Sequence, residues 1–343
     1  MANIKPIVNN SKINEYNDTS FLNSVLQVFS SLKYITIWMN QLNNNKQQLF
    51  SNNKYSLTKE LYMICFNLYN GQNCDSSNFI LNFNNKYKSI YPNKTLFNDS
   101  YHFFFYLVDL IHMENNCPNN PNFDFKTLDN HDIAELKNDN FMLNFFRTFY
   151  QQTQNSIISS NFQTIIKNVI KCELCQNLYN YVYKYIIKFN IDQYKVFRNE
   201  THPENKNQNL TIYDCFECYT GGNSQTCLNC KNQGAISYYS IFQNTKILVI
   251  ALIRNTHTYK CDLDFPNILK IFDYCSNNIT NNNKTQYYLK GCISMCNPDE
   301  YFADVLINNY WFRFFKNDKK MLGDVQNEIH NFEPQLLIYE LLE

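Results

Sequence analysis

Three pairs of cysteines, each with a two-residue spacer, are the groups in this chain whose spacing best suits a defined chemistry. The first pair is Cys172/Cys175, the second is Cys215/Cys218 and the third is Cys227/Cys230. A two-residue spacer lets both thiolates of a pair face one ion, and two such pairs make a tetrahedral zinc site. Because four thiolates leave no position open for water, this zinc would be structural.

The surroundings of the pairs favour one set of ligands over the others. The first and third pairs lie in turn-like sequence, whereas the second lies in a segment, residues 211–219, with a helical pattern. We therefore predict one zinc ion held by Cys172, Cys175, Cys227 and Cys230, and we interpret the second pair as ordinary buried thiols. Two alternatives stay open: a site made by the second and third pairs, and a chain that binds no metal.

The elements that must position these groups change in character along the chain. Helical patterns come first, over residues 20–41, 56–70 and 101–114, and the first begins at the capping residue Asp18 or Thr19. From about residue 160 strand patterns dominate, at 179–187, 246–253, 287–293, 301–307, 310–315 and 335–342. Helices followed mainly by strands indicate an α+β protein.

The bulk properties exclude several classes of protein. The chain has 343 residues, of which 44% are apolar, so it can bury one large core, and we predict a single domain over 1–343. Thirty basic residues balance thirty acidic ones, which argues against nucleic acid or an anionic membrane as partner. No apolar run reaches the roughly 18 residues of a membrane helix, and the N-terminus lacks a signal-peptide core. We expect a cytoplasmic or nuclear protein whose 13 cysteines are reduced or metal-bound.

Several segments resemble, in order, motifs of the ubiquitin-specific protease family. Residues 17–27, NDTSFLNSVLQ, are similar to the family's nucleophile box, G-N-T-C-[FY]-[ML]-N-S-x-L-Q. Residues 287–301 resemble its histidine box, and the zinc pairs occur at the position of its fingers region. Further similar segments are 99–112 (DSYHFFFYLVDLIH), 247–255 (ILVIALIRN), 311–314 (WFRF) and 336–341 (LLIYEL).

This resemblance implies a papain-like fold shaped like a hand. An α-helical thumb would span about residues 1–150, zinc-bearing β fingers about 155–245, and a β palm about 246–343. The family grips ubiquitin between these parts and hydrolyses the bond at its C-terminus. The resemblance thus implies ubiquitin or a ubiquitin-like protein as partner and a zinc ion as structural cofactor.

The catalytic positions implied by the resemblance are where the chain departs from the family pattern. Ser20 stands where the family has its nucleophilic cysteine, and Glu300 stands where it has the histidine base. Phe315 occupies the position of the acid that orients the histidine, and Glu15 that of an asparagine that donates to the oxyanion. Asp318 would serve as the acid if two residues were inserted after the WFRF segment.

These replacements remove the groups that amide hydrolysis requires. A serine hydroxyl is a poor nucleophile without a base beside it. An unperturbed carboxylate, with a pKa of about 4.3, is a poor base for an alkanol. Losing one oxyanion donor alone costs roughly 3–4 kcal/mol of transition-state stabilisation.

Three functions follow as hypotheses. The first is a catalytically inactive domain that binds ubiquitin, a ubiquitin-like protein or a protein complex as a scaffold. The second is an active thiol-type deubiquitinase whose site is divergent or was engineered, although an engineered serine would account for Ser20 alone. The third is a purely structural subunit of a larger complex that makes no contact with ubiquitin.

Overall fold

The chain divides into two compact units, each built from separate stretches of sequence. Unit 1 contains Met1–Asn115, Val249–Asp262 and Leu289–Glu340, and unit 2 contains Asn116–Leu248, Leu263–Tyr288 and Leu341–Glu343. The computed structural model describes residues 5–8, 19–44, 51, 53–72, 74–95, 97–119, 138–174, 178–205, 208–227, 230–276, 285–324 and 328–342.

In the described part of the first 115 residues, unit 1 has five α-helices. They are α1 (Ser20–Ser31), α2 (Lys33–Asn44), α3 (Ser56–Tyr69), α4 (Ser77–Ile90) and α5 (Ser100–Asn115). The single helix predicted over 20–41 was wrong, because Leu32 interrupts it. Leu32 has an extended backbone, with φ −69° and ψ 133°, and its side chain is fully buried. The helical direction therefore changes at Leu32.

A mainly antiparallel sheet forms the other part of unit 1. Its strands lie in the spatial order β15-β14-β13-β12-β16-β9, and β12 to β15 form a consecutive meander. The strands are β9 (Ile247–Ile253), β12 (Gln286–Asn297), β13 (Glu300–Ile307), β14 (Tyr310–Phe315), β15 (Asp318–Met321) and β16 (Glu333–Leu341). A short parallel pair, β1 (Ile7–Val8) with β2 (Cys74–Asp75), completes the unit.

Helix α1 packs directly on this sheet. Residues 20–30 of the helix are all buried, and the ring of Phe21 meets that of Tyr301 edge to face at 6.2 Å. Gly291 in β12 allows the close approach, since a Cβ at that position would lie 2.4 Å from a methyl group of Val28. The helix thereby places its first residue, Ser20, against the turn between β12 and β13.

Unit 2 has its own sheet, in the strand order β4-β3-β8-β7. Strands β3 (Thr164–Lys171), β4 (Leu178–Lys184), β7 (Asn223–Gln225) and β8 (Ala235–Gln243) form this sheet. Four more of the described strands lie in unit 2 outside it: β5 (Ile187–Asn190), β6 (Leu210–Thr211), β10 (Leu263–Asp264) and β11 (Ile268–Lys270). Its helices are α6 (Asp139–Thr153), α7 (Ile157–Phe162), α8 (Ile191–Thr201) and α9 (Ile212–Thr220).

The aromatic strand predicted near residue 180 is β4, and it contributes to the core of unit 2. The ring of Tyr181 lies 4.8 Å from those of Phe146 and Phe242, which links β4 to α6 and β8. None of the helices in the described ranges has the length and apolar character needed to cross a membrane.

Candidate functional site

Ser20 is held by the backbone of the turn between β12 and β13. Its hydroxyl accepts a hydrogen bond from the amide N–H of Tyr301 at 3.0 Å and donates one to the carbonyl oxygen of Asp299 at 3.1 Å. The turn needs a left-handed residue, which is Asp299 with φ 62°, and Ser20 itself is only 4% exposed. A carbonyl oxygen cannot take up the hydroxyl proton, so this contact supplies no base.

Glu300 begins strand β13 and is engaged by two side chains. The Nζ atom of Lys316 lies 2.8 Å from Oε1, and the Nδ2 atom of Asn297 donates to Oε2 at 2.9 Å. These contacts, that of Lys316 foremost, lower the pKa of Glu300 below its usual value. A carboxylate with a lowered pKa is a weaker base, so the pairing moves Glu300 away from the role of general base.

The segment after WFRF places no carboxylate against Glu300. Phe315 ends β14, and its ring packs edge to face on Phe302 at a centroid distance of 6.3 Å. Lys316 follows with φ 53°, which directs the chain into the turn to β15. Asp318, the alternative acid, begins β15 and is exposed, with its backbone opposite Phe315. The position after Phe315 thus brings an ammonium to the carboxylate of Glu300.

A small cavity lies beside Ser20. Its volume is about 20 Å³, and it is lined by Pro6, Ile7, Ser20, Asn23, Ser24, Gln27, Tyr301, Phe314 and Lys316. Gln27 is 2% exposed, and within the described part of the chain neither its Oε1 nor its Nε2 has a hydrogen-bond partner. A cavity of this volume accommodates about one water molecule, which is the usual partner of such a buried amide.

Sequence reasoning did not find every residue of this arrangement. The motif positions do not predict the ion pair of Lys316 with Glu300, nor the places of Asn297 and Gln27. Asn297 lies three residues before Glu300 across a turn, a spacing at which side chains meet, so this contact had a detectable signal. Glu15 lies outside the described residues.

Three of the four predicted metal ligands lie together in unit 2. The Sγ atoms of Cys172, Cys227 and Cys230 are all within 4.8 Å of one another, and those of Cys172 and Cys230 are 3.5 Å apart. Thiolates bound to one zinc ion at about 2.3 Å in a tetrahedron lie about 3.8 Å from each other, so this spacing fits a shared ion. Cys175, the fourth predicted ligand, lies outside the described residues.

Strand pairing explains why these cysteines meet. Cys172 follows β3, and Cys227 lies in the turn before β8, while the two strands pair with Lys171 opposite Ile236. The turn is tight, because the N–H of Lys231 donates to the carbonyl oxygen of Cys227 at 3.0 Å with φ 62° at Lys231. Cys172 and Cys227 therefore lie at the same end of the sheet.

The second cysteine pair lies on a helix instead. Cys215 and Cys218 belong to α9, and both are buried. Burial raises the pKa of the Cys218 thiol to about 12, which favours its protonated form near neutral pH. In the described residues the metal-binding group contains neither of them.

Comparison with protein families identifies the fold. The family model for ubiquitin carboxyl-terminal hydrolase matches residues 12–339. The chain belongs to the ubiquitin carboxyl-terminal hydrolase family. This confirms the family and the α+β fold that the motifs predicted. No curated protein sequence gives a significant match.

Solved structures with the fold of this family match the whole chain. The yeast SAGA DUBm, solved with an Sgf73 mutant, is 18% identical, with a TM-score of 0.66 over 100% of this chain and 69% of that chain. The SAGA module Ubp8/Sgf11/Sus1/Sgf73 bound to monoubiquitin is also 18% identical, with a TM-score of 0.67 over 100% and 70%. The module bound to ubiquitin aldehyde gives the same values. At this identity the likeness shows the fold alone.

Ser20 and Glu300 are the residues that the sequence motifs predict at the nucleophile and base positions of this family. At the predicted nucleophile position, the Ser20 hydroxyl donates its proton in a hydrogen bond to the carbonyl oxygen of Asp299. At the predicted base position, the carboxylate of Glu300 forms an ion pair with Lys316. The arrangement can bind and position a polar group, but these contacts do not activate a nucleophile.

Proposed function

We propose that this domain binds ubiquitin, a ubiquitin-like protein or another protein partner without hydrolysing it. The observation that carries the proposal is the ion pair between Glu300 and Lys316, which replaces a base–acid couple by a carboxylate neutralised by an ammonium. Ser20 supports it further, because its hydroxyl donates to the backbone carbonyl oxygen of Asp299, which cannot take up the proton.

The family and the matched structures support the kind of partner. One of the SAGA modules was solved with monoubiquitin and another with ubiquitin aldehyde, and this chain has their fold over its full length. Because one fold can host different functions, binding by this chain has to be tested directly. We therefore propose ubiquitin as the first partner to test.

Two measurements on the purified protein test this proposal together. Calorimetry, with NMR of labelled ubiquitin, measures binding, and a fluorogenic amide at the C-terminus of ubiquitin measures hydrolysis. We expect micromolar binding and no hydrolysis above background. Turnover of the amide would overturn the inactive assignment, and absence of binding at high concentration would overturn the ubiquitin-binding assignment.

A second candidate is a structural subunit of a larger complex that makes no contact with ubiquitin. The matched structures support it because they are modules of several subunits. A protein that shows no binding to ubiquitin but is recovered in a stable complex from its native cells would have this function.

We also propose that Cys172, Cys175, Cys227 and Cys230 hold one structural zinc ion. The grouping of the three described sulfurs supports this, because a zinc ion would satisfy them at the end of the unit 2 sheet. The described cysteines are all free of disulfides, which supports a reducing location in the cytoplasm or nucleus.

A further inference from the structure

A cysteine–histidine contact lies in unit 1, outside the Ser20 site. The Sγ atom of Cys261 is 3.9 Å from the Nδ1 atom of His330, although the two residues are 69 positions apart in sequence. Both residues are partly exposed. Neither residue belongs to a catalytic or zinc-binding position of the family motifs described above.

The loop that carries Cys261 is fixed to the segment that carries His330. Glu333, which is fully buried, accepts hydrogen bonds from the N–H groups of Thr258 at 2.7 Å and Tyr259 at 2.9 Å. These contacts attach the loop after β9 to the start of β16. A buried carboxylate therefore holds together the backbone segments that carry the sulfur and the imidazole.

An arginine fixes the other end of the same loop. Arg254, which is 8% exposed, pairs through two nitrogens with the carboxylate of Asp262, the residue next to Cys261. A third nitrogen of Arg254 donates to the carbonyl oxygen of Pro334 at 2.7 Å. Cys261 is thus held from both sides against the segment that contains His330.

Another partly buried cysteine of unit 1 shows what is special about this contact. The thiol of Cys296 donates to the carbonyl oxygen of Glu300 at 3.6 Å, and burial raises its pKa above the usual value. A carbonyl oxygen accepts a hydrogen bond but cannot take the proton, whereas an imidazole can do both near neutral pH. Cys261 and Cys296 therefore share partial exposure and differ in the group that faces the sulfur.

We propose that Cys261 and His330 form a thiol–imidazole pair that makes Cys261 a site of covalent modification by soft electrophiles with a displaceable group. The sulfur bonds to the electrophilic atom while the bond to the leaving group breaks, and that group departs with the electron pair. The thiol proton passes to Nδ1 of His330. This step uses no oxidant or metal, and it is independent of whether the Ser20 position hydrolyses anything.

Peptide-resolved mass spectrometry after timed reaction with iodoacetamide at pH 7 tests the proposal on the intact protein. We expect Cys261 to be alkylated about tenfold faster than Cys296, the gain that a larger thiolate fraction gives after its lower nucleophilicity is allowed for. Equal rates at the two cysteines in the unaltered protein would overturn the proposal, and this comparison needs no variant.

A histidine variant then tests whether the imidazole is the cause. His330→Gln keeps a polar side chain but loses the proton acceptor, and we expect it to remove most of the rate difference. His102→Gln, at an exposed histidine of unit 1, is the matched control and should leave the difference intact. An unchanged rate at Cys296 shows that the variant is folded. A fast Cys261 in folded His330→Gln protein would overturn the proposal.

Discussion

At the scale of single residues, a cysteine at position 20 would lie beside the same backbone groups as the serine and would still have no general base beside it. We predict that Ser20→Cys does not hydrolyse a fluorogenic ubiquitin amide, because Glu300 remains paired with Lys316. A positioned general base is worth about 10² to 10⁴ in rate, and this variant lacks one. The assay is run beside the unaltered protein, and turnover by Ser20→Cys alone would show that another group acts as base.

The ion pair of Glu300 makes a separate prediction about pH. The Lys316 contact lowers the pKa of Glu300, so it stabilises the folded state above the ordinary glutamate pKa of about 4.3, and this stabilisation is lost as pH falls through the lowered value. For Lys316→Gln we expect the pKa of Glu300 to rise towards its usual value, as measured by NMR titration of labelled carboxyl groups.

The size of that effect on stability should be small. Lys316 is 48% exposed and Glu300 is 28% exposed, and ion pairs in such positions contribute about 0–1 kcal/mol to the free energy of unfolding. Denaturant unfolding of Lys316→Gln at pH 7 checks this. A loss of several kcal/mol, or an unchanged Glu300 titration, would contradict the role we give to the pair.

The sequence motifs name candidate site residues, but they do not predict which side chains those residues contact. Ser20 and Glu300 follow from motif positions, because both lie in segments whose order along the chain is diagnostic. The contact between Glu300 and Lys316 depends on the turn after β14, where Lys316 has φ 53°. No local sequence pattern predicts this contact. Cys261 and His330 are 69 residues apart, and only the folded loop brings them together.

At the scale of elements, the approach of α1 to β12 depends on the absence of a side chain. We predict that Gly291→Ala lowers the free energy of unfolding by about 1–3 kcal/mol, because its Cβ would lie 2.4 Å from a methyl group of fully buried Val28. Thermal or denaturant unfolding measures the loss.

Two further variants show whether that contact is the cause. Gly323→Ala places its Cβ where no atom lies within 4 Å, so the free energy of unfolding should change by less than about 0.5 kcal/mol. The double variant Gly291→Ala with Val28→Ala should be more stable than the sum of the single losses implies, since each change relieves the other. If the losses in the free energy of unfolding were additive, the contact between residues 291 and 28 would not be the cause of the destabilisation.

The zinc prediction depends on the cysteines at the end of the unit 2 sheet. We expect about one zinc ion per chain by elemental analysis of protein purified without chelator, and we expect Cys227→Ser to lose it together with stability. Cys215→Ser is the matched control, because it also changes a fully buried cysteine of unit 2. Equal zinc content in both variants, or none in the unaltered protein, would contradict the site.

Strands were easier to predict than helices. The continuous apolar run of β9 and the alternating aromatic residues of β4 are strong local signals. Helix α4, by contrast, was not predicted, because asparagines and lysines on its polar face weaken the helical pattern. Its stability comes from buried rings such as those of Phe79 and Phe83, which pack against Phe103.

At the scale of the whole molecule, β16 is an interior strand of its sheet although it lies near the end of this sequence. It pairs between β12 and β9. We predict that removing residues 333–343 destroys the cooperative unfolding transition, because the strands on either side lose their common partner. Removing only residues 342–343 is the control and should leave circular dichroism and the melting transition nearly unchanged.

The order of motifs was enough to predict the family, which the match over residues 12–339 confirms. The division of the chain into two units was not predicted, because each unit is assembled from stretches that are far apart in sequence. Patterns of hydrophobicity report local elements, and they carry little information on which distant stretches close a common core.

The place of β16 also sets the order of events during synthesis. Helix α1 leaves the ribosome before the strands that cover it, since β12 and β13 follow more than 250 residues later and β16 emerges after both. Until then the apolar residues of α1, all buried in the folded protein, have no sheet to pack against. Contacts of such long sequence separation form slowly, and exposed apolar surface attracts chaperones in the meantime. The nascent chain should therefore depend on a chaperone in the interval between the synthesis of α1 and that of β12 and β13.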